Sequence, residues 1–265
     1  MSDLIHALPL GWMALVVFGA TALVTAAIYW IVMRLATGDR ARAFKAVSPG
    51  LLPPLGIMFG LLVAFIAAQV WGDVDRANAA VNHEASSLRA VLLLSRPFPA
   101  DAQARMRGLI ERYIRDAQQN EWPAMARQRA TLSMIPAGLA DALELGIELP
   151  TNGEGQVAAQ REIVANLDDA LDARRQRILV SRSKVNFVKW FALIFEAACT
   201  LTAIAIVHSD NRATTRYAMG LFASSIAACI FLLVAHDRPF TGQLSVQPTP
   251  LLQVLPDSPV DAKGS

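Results

Sequence analysis

Charge is what this sequence has least of: Asp, Glu, Lys and Arg together make up 17% of its 265 residues, against about 25% in an average soluble domain. The deficit is uneven. Charges almost vanish from four windows and return to ordinary density between them, the pattern of a membrane protein rather than of a very apolar globule. A formal net charge of +2 and the lack of a basic stripe with interleaved aromatics give no reason to expect a nucleic-acid partner. Cysteine is nearly missing: Cys199 and Cys229 both fall in apolar segments and read as small packing residues, without metal-ligand spacing or a disulfide framework. The histidines, His6, His83, His208 and His236, are scattered, and adjacent His83 and Glu84 do not share a helix face. Neither a metal site nor a cofactor is expected. There is also no Gly-rich phosphate loop, no Gly-x-Ser-x-Gly elbow and no His-Glu-x-x-His pair. Asp168 and Asp169 point about 100° apart on a helix and read as solvated surface. No enzyme chemistry is expected. Finally, no basic residue precedes the first apolar stretch, which argues against a cleaved signal peptide.

What is present is four long apolar runs. A spanning helix needs about 20 largely apolar residues, and the runs at about 11–33, 50–71, 187–207 and 217–235 meet this. Trp12, Tyr29 and Trp30 lie near the ends of the first, where amphipathic rings favour the interface. Pro53-Pro54 opens the second and Trp71-Gly72-Asp73 closes it. Gly56 and Gly60 form a small-xxx-small pair for close helix packing, within one subunit or between subunits, and Gly220, Ser224, Ala227 and Ala228 do the same in the fourth. The fold class expected is therefore an all-α membrane protein, with transmembrane pairs in residues 1–72 and 187–235, a helical soluble domain over 73–186 and an irregular, proline-bearing tail over 236–265.

Within the soluble domain, Ala77, Val81, Ala85, Leu88 and Leu92 form a helical stripe. Asp101 is placed to cap the next helix, which carries Met106, Leu109, Tyr113, Ile114 and Ala117 on one face. Pro123, Pro136 and Pro150 punctuate the middle. Ile163, Leu167, Leu171 and Ile178 mark a long helix, and no proline interrupts residues 156–187, so it is expected to pass directly into the third span. Positive charge gives no orientation: Arg34, Arg40, Arg42, Lys45, Arg212 and Arg216 on one side face Arg76, Arg89, Arg174, Arg175, Arg177, Arg182, Lys184, Lys189 and Arg238 on the other.

The run GLLVAFIAAQVW, Gly60 to Trp71, resembles the pore helix of bestrophin anion channels. Three further stretches, VNHEASSL (81–88), YIRDAQQNEWPAMA (113–126) and DRPFTG (237–242), resemble bacterial bestrophin-like membrane proteins, and this likeness covers nearly the whole chain. Glu84, Glu121, Trp122, Arg238, Pro239 and Phe240 are its motif residues. The resemblance implies a bacterial inner-membrane protein whose 73–186 domain and termini are cytoplasmic. It also implies a homo-oligomer, a pentamer, that encloses one pore for small anions such as chloride. It places Pro53, Ile57 and Leu61 at a narrow apolar neck; their spacing of four puts them on one helix face in any case. Such a ring can gate by dewetting while helix dipoles attract the anion. The alternative is that these residues face lipid or a neighbouring helix. The acidic calcium-binding segment of animal bestrophins has no counterpart in residues 241–245, so calcium gating is not expected.

Two polar residues of the spans are further candidates. Glu196 lies about 13 Å into the third span at about 1.5 Å per residue, either in an ion path or as a buried, hydrogen-bonded structural acid. Gln69 can coordinate a partly dehydrated ion or simply meet the headgroups. Taken alone, Glu84 and Glu121 read as ordinary helix carboxylates, and Glu121-Trp122 as an anchor of the domain to another subunit. The leading expectation is an anion channel; the other is a non-conducting membrane scaffold or sensor whose helical domain binds a partner.

Overall fold

A computed structural model describes residues 8–255, and helix is the only regular secondary structure among them. The readings made for His6 and the first residues, and for Pro256 and Pro259, lie outside the described residues. In chain order the helices are α1 (Leu10–Leu35), α2 (Gly38–Lys45), α3 (Leu52–Leu94), α4 (Ala100–Asp116), α5 (Trp122–Ala126), α6 (Ala137–Glu148), α7 (Glu154–Ser181), α8 (Phe187–Val207), α9 (Arg212–His236) and α10 (Thr249–Leu252). Four are long and apolar enough to cross a membrane: α1, α3, α8 and α9. They cover the four apolar runs of the sequence.

The chain divides into two compact units. The first comprises residues 8–72 and 184–238. Its core joins Phe59, Ile66 and Val70 of α3 to Leu193 and Leu201 of α8 and to Met219 and Ile226 of α9, and the Phe59 and Phe222 rings meet at 5.8 Å. α1 packs against α8 and α9. The outward faces are as apolar as the core: Leu23, Phe65 and Leu221 are each more than 70% exposed. In water so much uncovered apolar surface is unfavourable; in lipid it is the expected exterior.

The second unit comprises residues 73–183 and 239–255. The stripe read from the sequence is its core face, with Ala77, Val81, Ala85 and Leu88 of α3 meeting Met106, Tyr113 and Ile114 of α4 and Ile163, Leu167 and Ile178 of α7. Packing between α4 and α6 is closest at Gly138, where a Cβ would sit 2.9 Å from the Leu109 carbonyl oxygen.

Four local expectations are corrected. The helix of the second span does not stop at Trp71-Gly72-Asp73, where the two units divide: α3 runs on to Leu94. A helical glycine costs only about 1 kcal/mol, and the buried positions Ile66, Val70, Ala77 and Val81 keep one helical register across it, while Asp73 accepts a hydrogen bond from Arg76 one turn on. Conversely, the long helix does not pass into the third span. It stops at Ser181, and α8 starts at Phe187. Between them Val185 N–H donates to the Asp237 carboxylate at 2.8 Å, and the Asn186 side chain caps α8 through Val188 N–H. Asp101 is not the cap of α4; Pro99 holds that position, with Asp101 in the first turn, where its charge suits the helix dipole. The tail is irregular apart from α10, yet Phe240, Val246, Leu251 and Val254 are buried in the second unit's core.

Candidate functional site

In the second unit, three of the four sequence stretches singled out above converge. Glu84 projects from α3 and Arg177 from α7, and both are fully buried. Arg177 donates from Nε to Glu84 Oε2 at 2.7 Å and from Nη2 to Oε1 at 3.0 Å, the bidentate fork that guanidinium and carboxylate planes favour. Its Nη2 also reaches Glu121 Oε2 at 2.9 Å. Glu121 is held again by Arg174, Nη2 to Oε1 at 2.6 Å. The Tyr113 hydroxyl donates to Glu84, and the Trp122 ring lies against the Arg177 guanidinium at 4.5 Å.

Local sequence explains how α4 and α5 present these groups. Pro123 has no N–H to give the Gln119 carbonyl, and the preceding turn, Ala117–Glu121, widens to the π form, with Trp122 N–H bonding back to Ala117 O. Such one-turn bulges re-aim the side chains that follow. Trp122 then binds the tail: Nε1–H donates to Val246 O at 3.1 Å, its ring meets Phe240 edge-on at 5.9 Å, and Thr241 donates to Ala126 O at 2.8 Å. Glu121 and Trp122 thus serve this chain's own core, where the sequence suggested a contact between subunits.

Two carboxylates face two guanidiniums here, and each carboxylate accepts at least two hydrogen bonds, so the cluster has no uncompensated charge to offer a passing ion. Its effect is to fix helices from distant parts of the sequence in one arrangement. Burial, and then the charge of Glu84, push the Tyr113 hydroxyl well above its ordinary value. For Arg177 burial works the other way, but Glu84, Tyr113 and Glu121 more than offset it and hold its pKa above the usual range. The raised Tyr113 value has a signed consequence. Its contribution to stability is complete below about pH 10, the unfolded tyrosine value, and is lost as pH rises from there toward the folded value. Tyr113→Phe removes this dependence, so unfolding temperatures measured between about pH 9 and 11 should fall less steeply for the variant than for the parent.

Arg174 and Arg177 were missed in the sequence, where they counted as membrane-flanking charge. They share a helix face with Leu167, Ala170 and Ile178, all buried, and that register was the available signal. His83 faces out while Glu84 faces in, and Asp168 and Asp169 are exposed. Among the described residues no three metal-ligating side chains converge.

The first unit holds the remaining candidates. Pro53, Ile57 and Leu61 lie along one face of α3, uncovered within the chain, with Ile57 63% and Leu61 54% exposed. A Cβ at Gly56 or Gly60 would meet nothing within 4 Å, so neither glycine serves close packing inside this chain. The Gln69 carbonyl oxygen accepts a hydrogen bond from Lys189 of α8. Glu196 is half-buried; its Oε1 is out of solvent and has no hydrogen-bond partner among the described residues. Asp237 and Arg238 are buried at the end of α9, and the Pro239 carbonyl accepts Val246 N–H at 2.7 Å.

A family model described as the bestrophin-like domain matches residues 19–251. The crystal structure of a single-substitution variant of a bacterial bestrophin homologue from Klebsiella pneumoniae has a similar fold, with a TM-score of 0.70. The two chains are 11% identical, and the likeness covers 89% of this chain and 97% of that one. No curated protein matches the chain.

Proposed function

Because the chain belongs to the bestrophin-like family, we propose that it is an anion channel in which copies of the chain surround a common axis and chloride passes along α3. The observation that carries this reading is the apolar row Pro53, Ile57 and Leu61, which the chain itself leaves uncovered. Repeated around an axis, the row makes a narrow apolar collar that closes by losing its water and opens when it rewets. The row begins at the first turn of α3, whose positive dipole end favours an anion over a cation. Gly56 and Gly60 sit beside it with open space over them, where the α3 of an adjacent copy can approach closely.

By the same reading the ring has five copies and lies in a bacterial inner membrane, with residues 73–186 and both termini on the cytoplasmic side. Gln69 and Glu196 are assigned positions on or beside the anion path. The buried cluster of Glu84, Glu121, Arg174 and Arg177 supports that path by holding the soluble unit rigid, without touching the ion.

Halide efflux from liposomes that contain the purified protein tests the proposal. The parent should release chloride faster than protein-free vesicles. An Ile57→Ala, Leu61→Ala double variant, which widens the collar at two exposed positions, should change the rate or the order of halide preference several-fold. Parent protein that is folded and oligomeric yet releases no more halide than empty vesicles would replace the channel with a scaffold or sensor whose helical domain binds a partner.

A further inference from the structure

α1 and α9 lie side by side in the first unit, and a groove of about 490 Å³ opens between them. On α1 its wall runs from Phe18 to Tyr29, and on α9 from Arg216 to Ala227. Each stretch is twelve residues long, about 16 Å from first to last at about 1.5 Å per residue. That is close to half of the roughly 30 Å hydrocarbon core of a bilayer, the depth of one leaflet.

The polarity of the groove is graded along this length. At one end Arg216 and Tyr29 lie together, next to Trp30 and Arg34, the latter stacked over the Trp30 ring at 4.4 Å. Aromatic and basic residues so placed mark headgroup level. Arg216 is exposed; its Nε donates to the Arg212 carbonyl at 3.3 Å, and among the described residues it has no ion pair. Two nitrogens of its guanidinium are left to bind an anion. Away from that end the wall is apolar. The hydroxyls of Thr21, Thr25 and Ser224 turn back to carbonyls of their own helices at 2.8–2.9 Å and leave methyl and methylene groups facing the groove. Gly220 gives it depth, since a Cβ there would meet nothing within 4 Å.

We propose that this groove is a phospholipid site that takes one acyl chain between α1 and α9 and binds the lipid phosphate on Arg216. A cation at headgroup level, above an apolar trough one leaflet deep, matches the polarity of a single lipid molecule. A helix from a second copy fits less well, because the apolar runs 11–33, 50–71, 187–207 and 217–235 contain one acidic residue, Glu196, and it lies mid-span, away from the level of Arg216. An anionic headgroup such as phosphatidylglycerol is favoured over a zwitterionic one, because Arg212 and Arg34 add positive charge near the same membrane surface. The inference does not depend on conduction; it requires only that the four helices span a bilayer.

Native mass spectrometry of delipidated protein, titrated with phosphatidylglycerol in detergent, reads the site. Gly220→Leu fills the groove with little strain, since no atom of the chain stands in the way. It should abolish the saturable lipid adduct while the circular dichroism spectrum and oligomeric state stay unchanged. Arg216→Gln keeps the trough and removes the cation, and should weaken the adduct by roughly tenfold or more, the scale of a hydrogen bond to a charged group. Adducts of parental strength in both variants would overturn the proposal. So would a Gly220→Leu protein that keeps its lipid but loses subunits, which would make the groove a seat for a second copy.

Discussion

Arg177→Ala will cost the second unit about 3–5 kcal/mol, the range for breaking a buried ion pair by removing one partner. The substitution leaves Glu84 with full burial and only the Tyr113 hydroxyl as donor, and it strips Glu121 of one of its two guanidiniums. It also removes the cation stacked on Trp122, the residue that binds the tail. Hydrogen–deuterium exchange read separately on α3, α4 and α7 should show lost protection around residues 77–88, 106–117 and 163–178. A compensating double variant separates charge from packing. Glu84→Gln with Arg177→Met removes both members of the pair and leaves Arg174 to neutralise Glu121, so it should recover much of the loss. If Arg177→Ala exchanges like the parent, the cluster is not what fixes these helices.

Gly138→Ala should be the next most costly change, about 1–3 kcal/mol for an overpacked contact. The added methyl would meet the Leu109 carbonyl at 2.9 Å and the Tyr113 backbone nitrogen and Cβ at 3.0 Å. These are main-chain and Cβ atoms, with no flexible side chain to swing aside, so relief requires α4 and α6 to separate. Separation draws Tyr113 away from Glu84, which links this site to the charged cluster although Gly138 carries no polar group. The two should therefore be non-additive: in a Tyr113→Phe background, Gly138→Ala should cost measurably less than in the parent. Thermal unfolding of the four proteins of this cycle gives the coupling directly.

The membrane helices were legible because a span has no substitute for about 20 apolar residues, and composition alone displays them. Their ends were less so. Gly72 with Asp73 looks like a stop in one dimension, yet the core register passes through it. The break after Ser181 has no glycine or proline to announce it, because it is made partly by a carboxylate fifty-two positions away. Glu84 was noticed through resemblance and then read as an ordinary helix carboxylate, although it occupies a core position in the stripe of Val81 and Leu88. Arg174 and Arg177 followed a similar course: as charges they were counted with the membrane flank, whereas their register already placed them inside. Burial of an ion pair depends on two helices meeting, and one helix read alone shows only half of it. The row Pro53, Ile57 and Leu61 is the opposite case, since its spacing is plain in sequence while whatever covers it lies outside the chain.

The order in which a ribosome delivers this chain gives the buried tail a further meaning. Phe240, Val246, Leu251 and Val254 belong to the second unit's core, but they leave the ribosome only after all four membrane helices have been made. Until then the notch beside Trp122 stands open and its indole N–H has no Val246 carbonyl to bind. A product truncated after residue 238 can insert every span and still expose an unfinished core, the kind of surface chaperones and proteases act on. Completion of the second unit thus reports that translation has passed the last span.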